Sequence, residues 1–255
     1  MLRPKITKFY AIIGNPLTHS YSSEYWNEMF KNHKLLQHHF DAMTLKKIED
    51  FPEYIEAHPL LRGMSVTMPY KCSVMKYLDY IDPVALEIGA VNVIKFDHDS
   101  KTGKRILSGY NTDWLGFTHA IKPLLTPEHK KALILGTGGM AKAVKYALNQ
   151  LGIESQYVTR EKEGIMRYED ITEDVMKEHT IIMNATHVGC FPIVNQCPNI
   201  PYELITSKHI AIDAIYNPIR TLFLQQAELK GAVTKNGWDM FVEQARKAWE
   251  IIVEH

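Results

Sequence analysis

The sequence predicts an α/β fold in two domains, and three observations predict it. Short apolar runs alternate with helix-like segments from the start of the chain: "FYAII", "HHFDAM" and "GMSVTM" precede residues 23–33, 46–57 and 70–77 respectively. Such alternation implies βα units and a mainly parallel sheet. The pattern then breaks once, where "AVNVIKF" and "RILSGY" flank the polar "DHDSKTGK" as the arms of a hairpin expected at a sheet edge. It restarts at "KALILG", which opens a second βα series.

Taken in order, Phe9–Ile13 reads as a buried strand and "GNP" as the turn that stops it. Ser22 or Ser23 is the expected N-cap of the helix that follows. One cap needs one hydroxyl, yet three serines crowd this turn, so a second reading stands beside the first: hydroxyls and free N–H groups cradling an anionic substrate group. Pro69 is expected at the first position of the 70–77 helix, where its ring would fix how Lys71 projects. Asn111-Thr112-Asp113 opens a helix whose Trp114, Phe117 and Ile121 lie at helical spacing, and "KPLLTPEHK" reads as a connector. The last helix, from about Trp238, aligns Phe241, Ala245, Ala248 and Ile252 in one apolar stripe that must dock on something.

Composition excludes several classes. A chain of 255 residues with 45% apolar side chains can bury a sizeable core. Lys plus Arg and Asp plus Glu both number 29, so nothing advertises a nucleic-acid partner. No apolar stretch reaches transmembrane length, and the early apolar run is too brief for a signal-peptide core. Cys72, Cys190 and Cys197 form no Cys-x-x-Cys pair, which argues against a disulfide framework or structural zinc and for a reducing cytoplasm. "DHD" at 97–99 falls in a hairpin tip and reads as a solvated turn, so no metal is expected.

"KALILGTGGMAKAVKYALNQLG" places Gly136-x-Gly138-x-x-Ala141 between a strand and an amphipathic helix, the context that a dinucleotide fingerprint requires. Gly136 permits the tight turn, Gly138 lets the backbone approach the pyrophosphate, and Ala141 allows close helix–strand packing. The second domain is therefore expected to be Rossmann-type. At the end of the next strand, "SQYVTR", Thr159 and Arg160 stand where an NAD enzyme places an acidic residue on the ribose. A guanidinium there pairs with a 2′-phosphate, which favours NADP over NAD. In the first half Thr67, Lys71, Asn92, Asn111 and Asp113 sit where strands or helices begin or end, the ingredients of a carbonyl-reduction site.

Those segments together resemble the shikimate dehydrogenase family: "GNPLTHSYS", "SVTMPYK", "IGAVNV", "YNTDWLGF", "LGTGGMAKA", "MNATHVG" and "IDAIYNPIRTLFL" occur in the family's order over nearly the whole chain. The resemblance implies NADP-dependent interconversion of 3-dehydroshikimate and shikimate, in the chorismate route to aromatic amino acids. It implies Lys71 and Asp113 as the catalytic pair, with Thr67, Asn92, Asn111, Tyr216 and Gln244 on the substrate. Ser20 and Ser22 would hold the substrate carboxylate, which answers the crowding of hydroxyls, and Ser23 would be left to the helix start. Cofactor contacts are implied at Gly136, Gly138, Gly139, Ala141, Thr159, Arg160 and Gly237. The late helix would return to the first domain, giving a substrate domain of 1–113 plus 238–255 and an NADP domain of 114–237. Three features depart from the family: Ser65 replaces a usual asparagine, "NGWDM" replaces Asp-Gly with a short apolar stretch, and the segment after Arg160 is short. The competing readings are a dehydrogenase that also takes quinate or another small cyclic hydroxy acid, and a catalytically silent nucleotide sensor. A monomer or homodimer is expected.

Overall fold

The structure is a computed structural model that describes residues 5–17, 21–160 and 163–254. Two compact units emerge, one comprising 1–112 with 247–255, the other Asp113–Arg246.

In the first unit, β1 (Lys8–Gly14), α1 (Ser22–Asn32), β2 (His38–Thr44), α2 (Phe51–Ala57), β3 (Leu61–Val66), β4 (Tyr80–Ile81), α3 (Pro83–Ile88), β5 (Val93–His98) and β6 (Arg105–Tyr110) follow in order. The sheet runs β2-β1-β3-β5-β6-β4. β1 is parallel to both β2 and β3, whereas β5 is antiparallel to β3 and β6. Both faces of β1 are covered, since Ala11 and Ile13 join one apolar cluster while Tyr10 and Ile12 join another. A strand buried on both faces reads as an unbroken apolar run, which is why "FYAII" is so legible. The second cluster stacks Trp26 on Phe40 and on Trp249. Trp249 lies on α8 (Trp238–Ile252), and Ile252 one turn on sits where Gly63 has no side chain, since a Cβ there would lie 2.7 Å from the Ile252 Cβ.

The second unit contains α4 (Asp113–Ile121), β7 (Lys131–Leu135), α5 (Gly139–Gln150), β8 (Glu154–Thr159), β9 (Met166–Arg167), α6 (Glu173–Glu178), β10 (Ile181–Asn184), β11 (Ile210–Asp213), α7 (Leu222–Glu228), β12 (Val233–Lys235) and the first part of α8. Its sheet, β12-β11-β10-β7-β8-β9, is parallel throughout. Alternate residues of β7 again serve two clusters: Ala132 and Ile134 pack with α4 and α5, while Leu133 and Leu135 pack with α7. The strand order reverses between β7 and β10, and a doubly wound sheet binds its ligand at the carboxyl ends of the strands beside that switch point.

Three sequence expectations are corrected. No α-helix spans 70–77: Pro69 lies in a turn, and a 3-10 helix covers Ser73–Tyr77. The Lys71 carbonyl, which an α-helix would use internally, instead accepts the Val91 N–H at 2.7 Å. Neither Ser22 nor Ser23 caps α1, because the helix starts one residue earlier than expected, with Tyr21 at the cap position and no side-chain cap. The Ser23 hydroxyl is buried and has no hydrogen-bond partner among the described residues. The hairpin is not at the edge, since the two-residue β4 pairs with β6 outside it.

Candidate active site

Four strand-end segments of the first unit converge on a small polar region. Where β1 ends, the Asn15 N–H donates to the Met68 carbonyl at 3.0 Å, and the Thr67 N–H donates to Ile13 at 2.9 Å. Gly14 makes this closure possible, since a Cβ there would lie 2.4 Å from the Thr67 Cγ2. The Val66 N–H donates to the Asn92 carbonyl and the Asn92 N–H to the Tyr110 carbonyl, at 2.8 and 3.0 Å, so β3, β5 and β6 are tied at one level. With Val91 bonded to the Lys71 carbonyl, the backbone brings Thr67, Lys71, Asn92 and Asn111 together.

Burial there is selective. Asn92, Asn111, Thr112 and Asp113 are 3%, 5%, 1% and 4% exposed, whereas Thr67 and Lys71 are half-buried. Buried polar groups require partners. The Asn92 Oδ1 accepts the Thr112 N–H at 2.7 Å and its Nδ2 donates to the Thr112 hydroxyl at 3.0 Å, while the Asn111 Nδ2 donates to the Ala90 carbonyl at 2.8 Å. Sequence reasoning passed over Thr112, although its place between Asn111 and Asp113 was a signal. Asp113, next in the chain, begins both α4 and the second unit. Ser22 is 7% exposed on the first turn of α1, whereas Ser20 lies outside the described residues.

Within the second unit, Gly136 has φ +107°, a backbone region natural to glycine, and ends β7 in a tight turn. Gly138 is the cap residue of α5 and Gly139 its first residue. A Cβ on Gly138 would meet nothing within 4 Å, so this side of the turn leaves room for a pyrophosphate against the backbone amides of the helix N-terminus. Ala141 is fully buried against the β7 face. These residues therefore fit a dinucleotide. Thr159 ends β8 and Arg160 follows it, exposed; burial raises the Tyr168 phenol, and the Arg160 charge counters only part of that rise. Glu161 and Lys162 lie outside the described residues.

On the same unit the Tyr216 ring packs at a tilt against Phe241, centroids 4.9 Å apart, and meets Trp238 edge-on at 6.0 Å. The Gln244 Nε2 donates to the Phe241 carbonyl at 3.0 Å. Gly237 closes this corner: its N–H donates to Ile215, and a Cβ would lie 2.2 Å from the Ala214 carbonyl oxygen. Sequence reasoning also passed over Asp213 and Thr221, which are buried beneath these loops and bonded to each other at 2.6 Å.

Together the switch point, the glycine turn and the open face of Gly138 define a two-unit α/β protein with a Rossmann-type sheet. Residues 12–94 match the family model described as the shikimate dehydrogenase substrate binding domain. A shikimate dehydrogenase (NADP(+)) of Methanosphaera stadtmanae is 33% identical, the match covering 94% of this chain and 89% of the relative. Among solved structures, shikimate dehydrogenase from Aquifex aeolicus is 32% identical with a TM-score of 0.84, covering 98% of this chain and 93% of its own. Shikimate 5-dehydrogenase of Thermus thermophilus, solved in complex with NADP(H) and shikimate, is 29% identical with a TM-score of 0.82, covering 97% of this chain and 94% of its own. The chain belongs to the shikimate dehydrogenase family.

Proposed function

We propose that the protein is an NADP-dependent shikimate dehydrogenase that reversibly reduces 3-dehydroshikimate to shikimate, a cytoplasmic enzyme of aromatic amino acid biosynthesis acting as a monomer or homodimer. The observation that carries this reading is the near-full-length similarity to proteins of that name in a chain that keeps Lys71, Asp113 and the glycine turn of α5. Among the described residues, no helix is long and apolar enough to cross a membrane.

Gly136, Gly138, Gly139, Ala141, Thr159, Arg160 and Gly237 are the residues that would hold NADP(H), whose nicotinamide supplies the hydride. Ser20 and Ser22 hold the substrate carboxylate, and Thr67, Asn92, Asn111, Tyr216 and Gln244 orient the ring and its hydroxyls. Negative charge grows on the carbonyl oxygen as the carbon is reduced, and a proton donor within hydrogen-bond reach must meet it. Lys71 is that donor, and Asp113 is its partner in the catalytic pair. Consumption of NADPH on adding 3-dehydroshikimate tests the reading; saturable NADPH binding without turnover would replace it with a nucleotide sensor.

Two outcomes follow for the binding residues. Changing Ser20 and Ser22 together to alanine raises KM for shikimate while kcat stays close to wild type, because a carboxylate contact is much the same in ground and transition states. An unchanged KM removes both serines from the site. Arg160→Ala lowers kcat/KM with NADP far more than with NAD, since it removes a guanidinium suited to the 2′-phosphate and leaves the rest of the cofactor's contacts intact. Equal efficiency with the two cofactors in the unsubstituted enzyme rules out the role given to Arg160.

A further inference from the structure

Among the described residues, the mechanism leaves one buried carboxyl unused. Asp213, at the carboxyl end of β11, has no exposed surface, and neither do Asn184, at the end of β10, or Thr221, just before α7. The Asp213 Oδ1 accepts from the Asn184 Nδ2 at 3.1 Å and from the Ile215 N–H at 3.0 Å, while its Oδ2 accepts from the Thr221 hydroxyl at 2.6 Å. All three partners donate, which is the pattern that suits a carboxylate.

The network continues outward into loops. The Asn184 Oδ1 accepts from both the N–H and the hydroxyl of Thr186, at 3.1 and 2.6 Å, and the Thr186 hydroxyl accepts the Val188 N–H at 3.1 Å. Thr186 lies beside the dinucleotide turn, for a Cβ on Gly136 would stand 3.1 Å from its Cγ2. Ile215 immediately precedes Tyr216, and its carbonyl accepts the Gly237 N–H. One side chain thus fixes the loops that follow β10 and β11.

Those loops have a defined place in a doubly wound sheet. The first mononucleotide half of a dinucleotide lies over the β7 turn and the end of β8, where Thr159 and Arg160 stand, and the second half crosses the switch point to the β10 and β11 side. We propose that Asp213 is a positioning residue for the nicotinamide half of the cofactor, setting the Thr186 loop through Asn184 and the turn before Tyr216 through Ile215. This assignment rests on the NADP reading given above. Burial pushes the Asp213 carboxyl up, its three donors pull it down, and burial prevails, leaving it raised to about 7.

The test separates the two halves of the cofactor. NADPH probes both, whereas 2′,5′-ADP probes the adenine half alone. In Asp213→Asn the amide nitrogen takes the place of one acceptor oxygen, so at least one donor loses its partner. The dissociation constant for NADPH should rise about tenfold or more, the scale of an unmet buried hydrogen bond, while that for 2′,5′-ADP stays within about twofold. Thr221→Val should show the same split and Thr221→Ser should restore NADPH affinity; this pair carries the test if Asp213→Asn does not fold. Equal rises for both compounds, or no rise for either, would overturn the assignment by leaving Asp213 a purely structural group. Failure of the unsubstituted protein to bind either compound would overturn the cofactor reading itself, and this assignment with it.

Discussion

Lys71→Met should lower kcat for 3-dehydroshikimate reduction by about 10²-fold or more, the scale of removing a general acid–base group. Methionine keeps the length of the lysine's apolar stem at a half-buried position and lacks the ammonium, so folding and far-UV circular dichroism should be unchanged. Substrate and cofactor affinities should change much less, because the lost interaction strengthens chiefly in the transition state. Asp113→Asn should also slow turnover and, by removing a carboxylate able to accept a substrate hydroxyl proton, weaken substrate binding. Combined, the two losses should fall short of their sum, as groups acting as a unit do. A Lys71→Met enzyme with near-normal kcat and a raised KM would reduce Lys71 to a binding residue and require another proton source.

Gly116→Ala should destabilise the protein although the substitution lies inside a helix. On propensity alone alanine would gain about 1 kcal/mol over glycine there. Here the added Cβ would stand 2.4 Å from the Met240 carbonyl oxygen and 3.2 Å from the Gln244 Cβ, so α4 and α8 must separate. Overpacking of this kind costs roughly 1–3 kcal/mol or more, and the obstacle is a backbone atom with little freedom to yield. A fall in Tm of roughly 2–12 °C follows for a chain of this size. Because α4 begins with Asp113 and α8 carries Gln244, displacement should also lower kcat/KM by roughly 10- to 100-fold. An unchanged Tm with unchanged kcat/KM would show that the helices yield at no cost.

How much of this was legible depended on the range of the cause. β1, β7 and α5 declare themselves because periodicity and turn chemistry are local, and Gly136 and Gly138 keep their meaning within one strand–turn–helix. The two-residue strands β4 and β9 carry no period to read. The stretch 70–77 looked helical, but its Lys71 carbonyl is claimed by Val91, twenty residues on. The Asp213–Asn184 bond joins residues 29 apart, and neither "MNAT" nor "IDAIY" by itself announces the other. Among the site residues, Asn92 and Asn111 were visible as polar residues beside strands, but their bonds to Thr112 and Ala90 depend on how β5 and β6 pair.

The first unit is not one continuous length of chain, and that has a consequence for its birth. Tyr10, Trp26, Phe30 and Phe40 are made early, yet the cluster they form is completed by Ala248, Trp249 and Ile252, which arrive after the whole of the second unit has been translated. At about 5–20 residues per second, the nascent chain therefore holds an open aromatic slot for on the order of ten seconds. During that interval the incomplete cluster is a sticky surface and a natural target for chaperones, whereas the second unit is built from one unbroken segment.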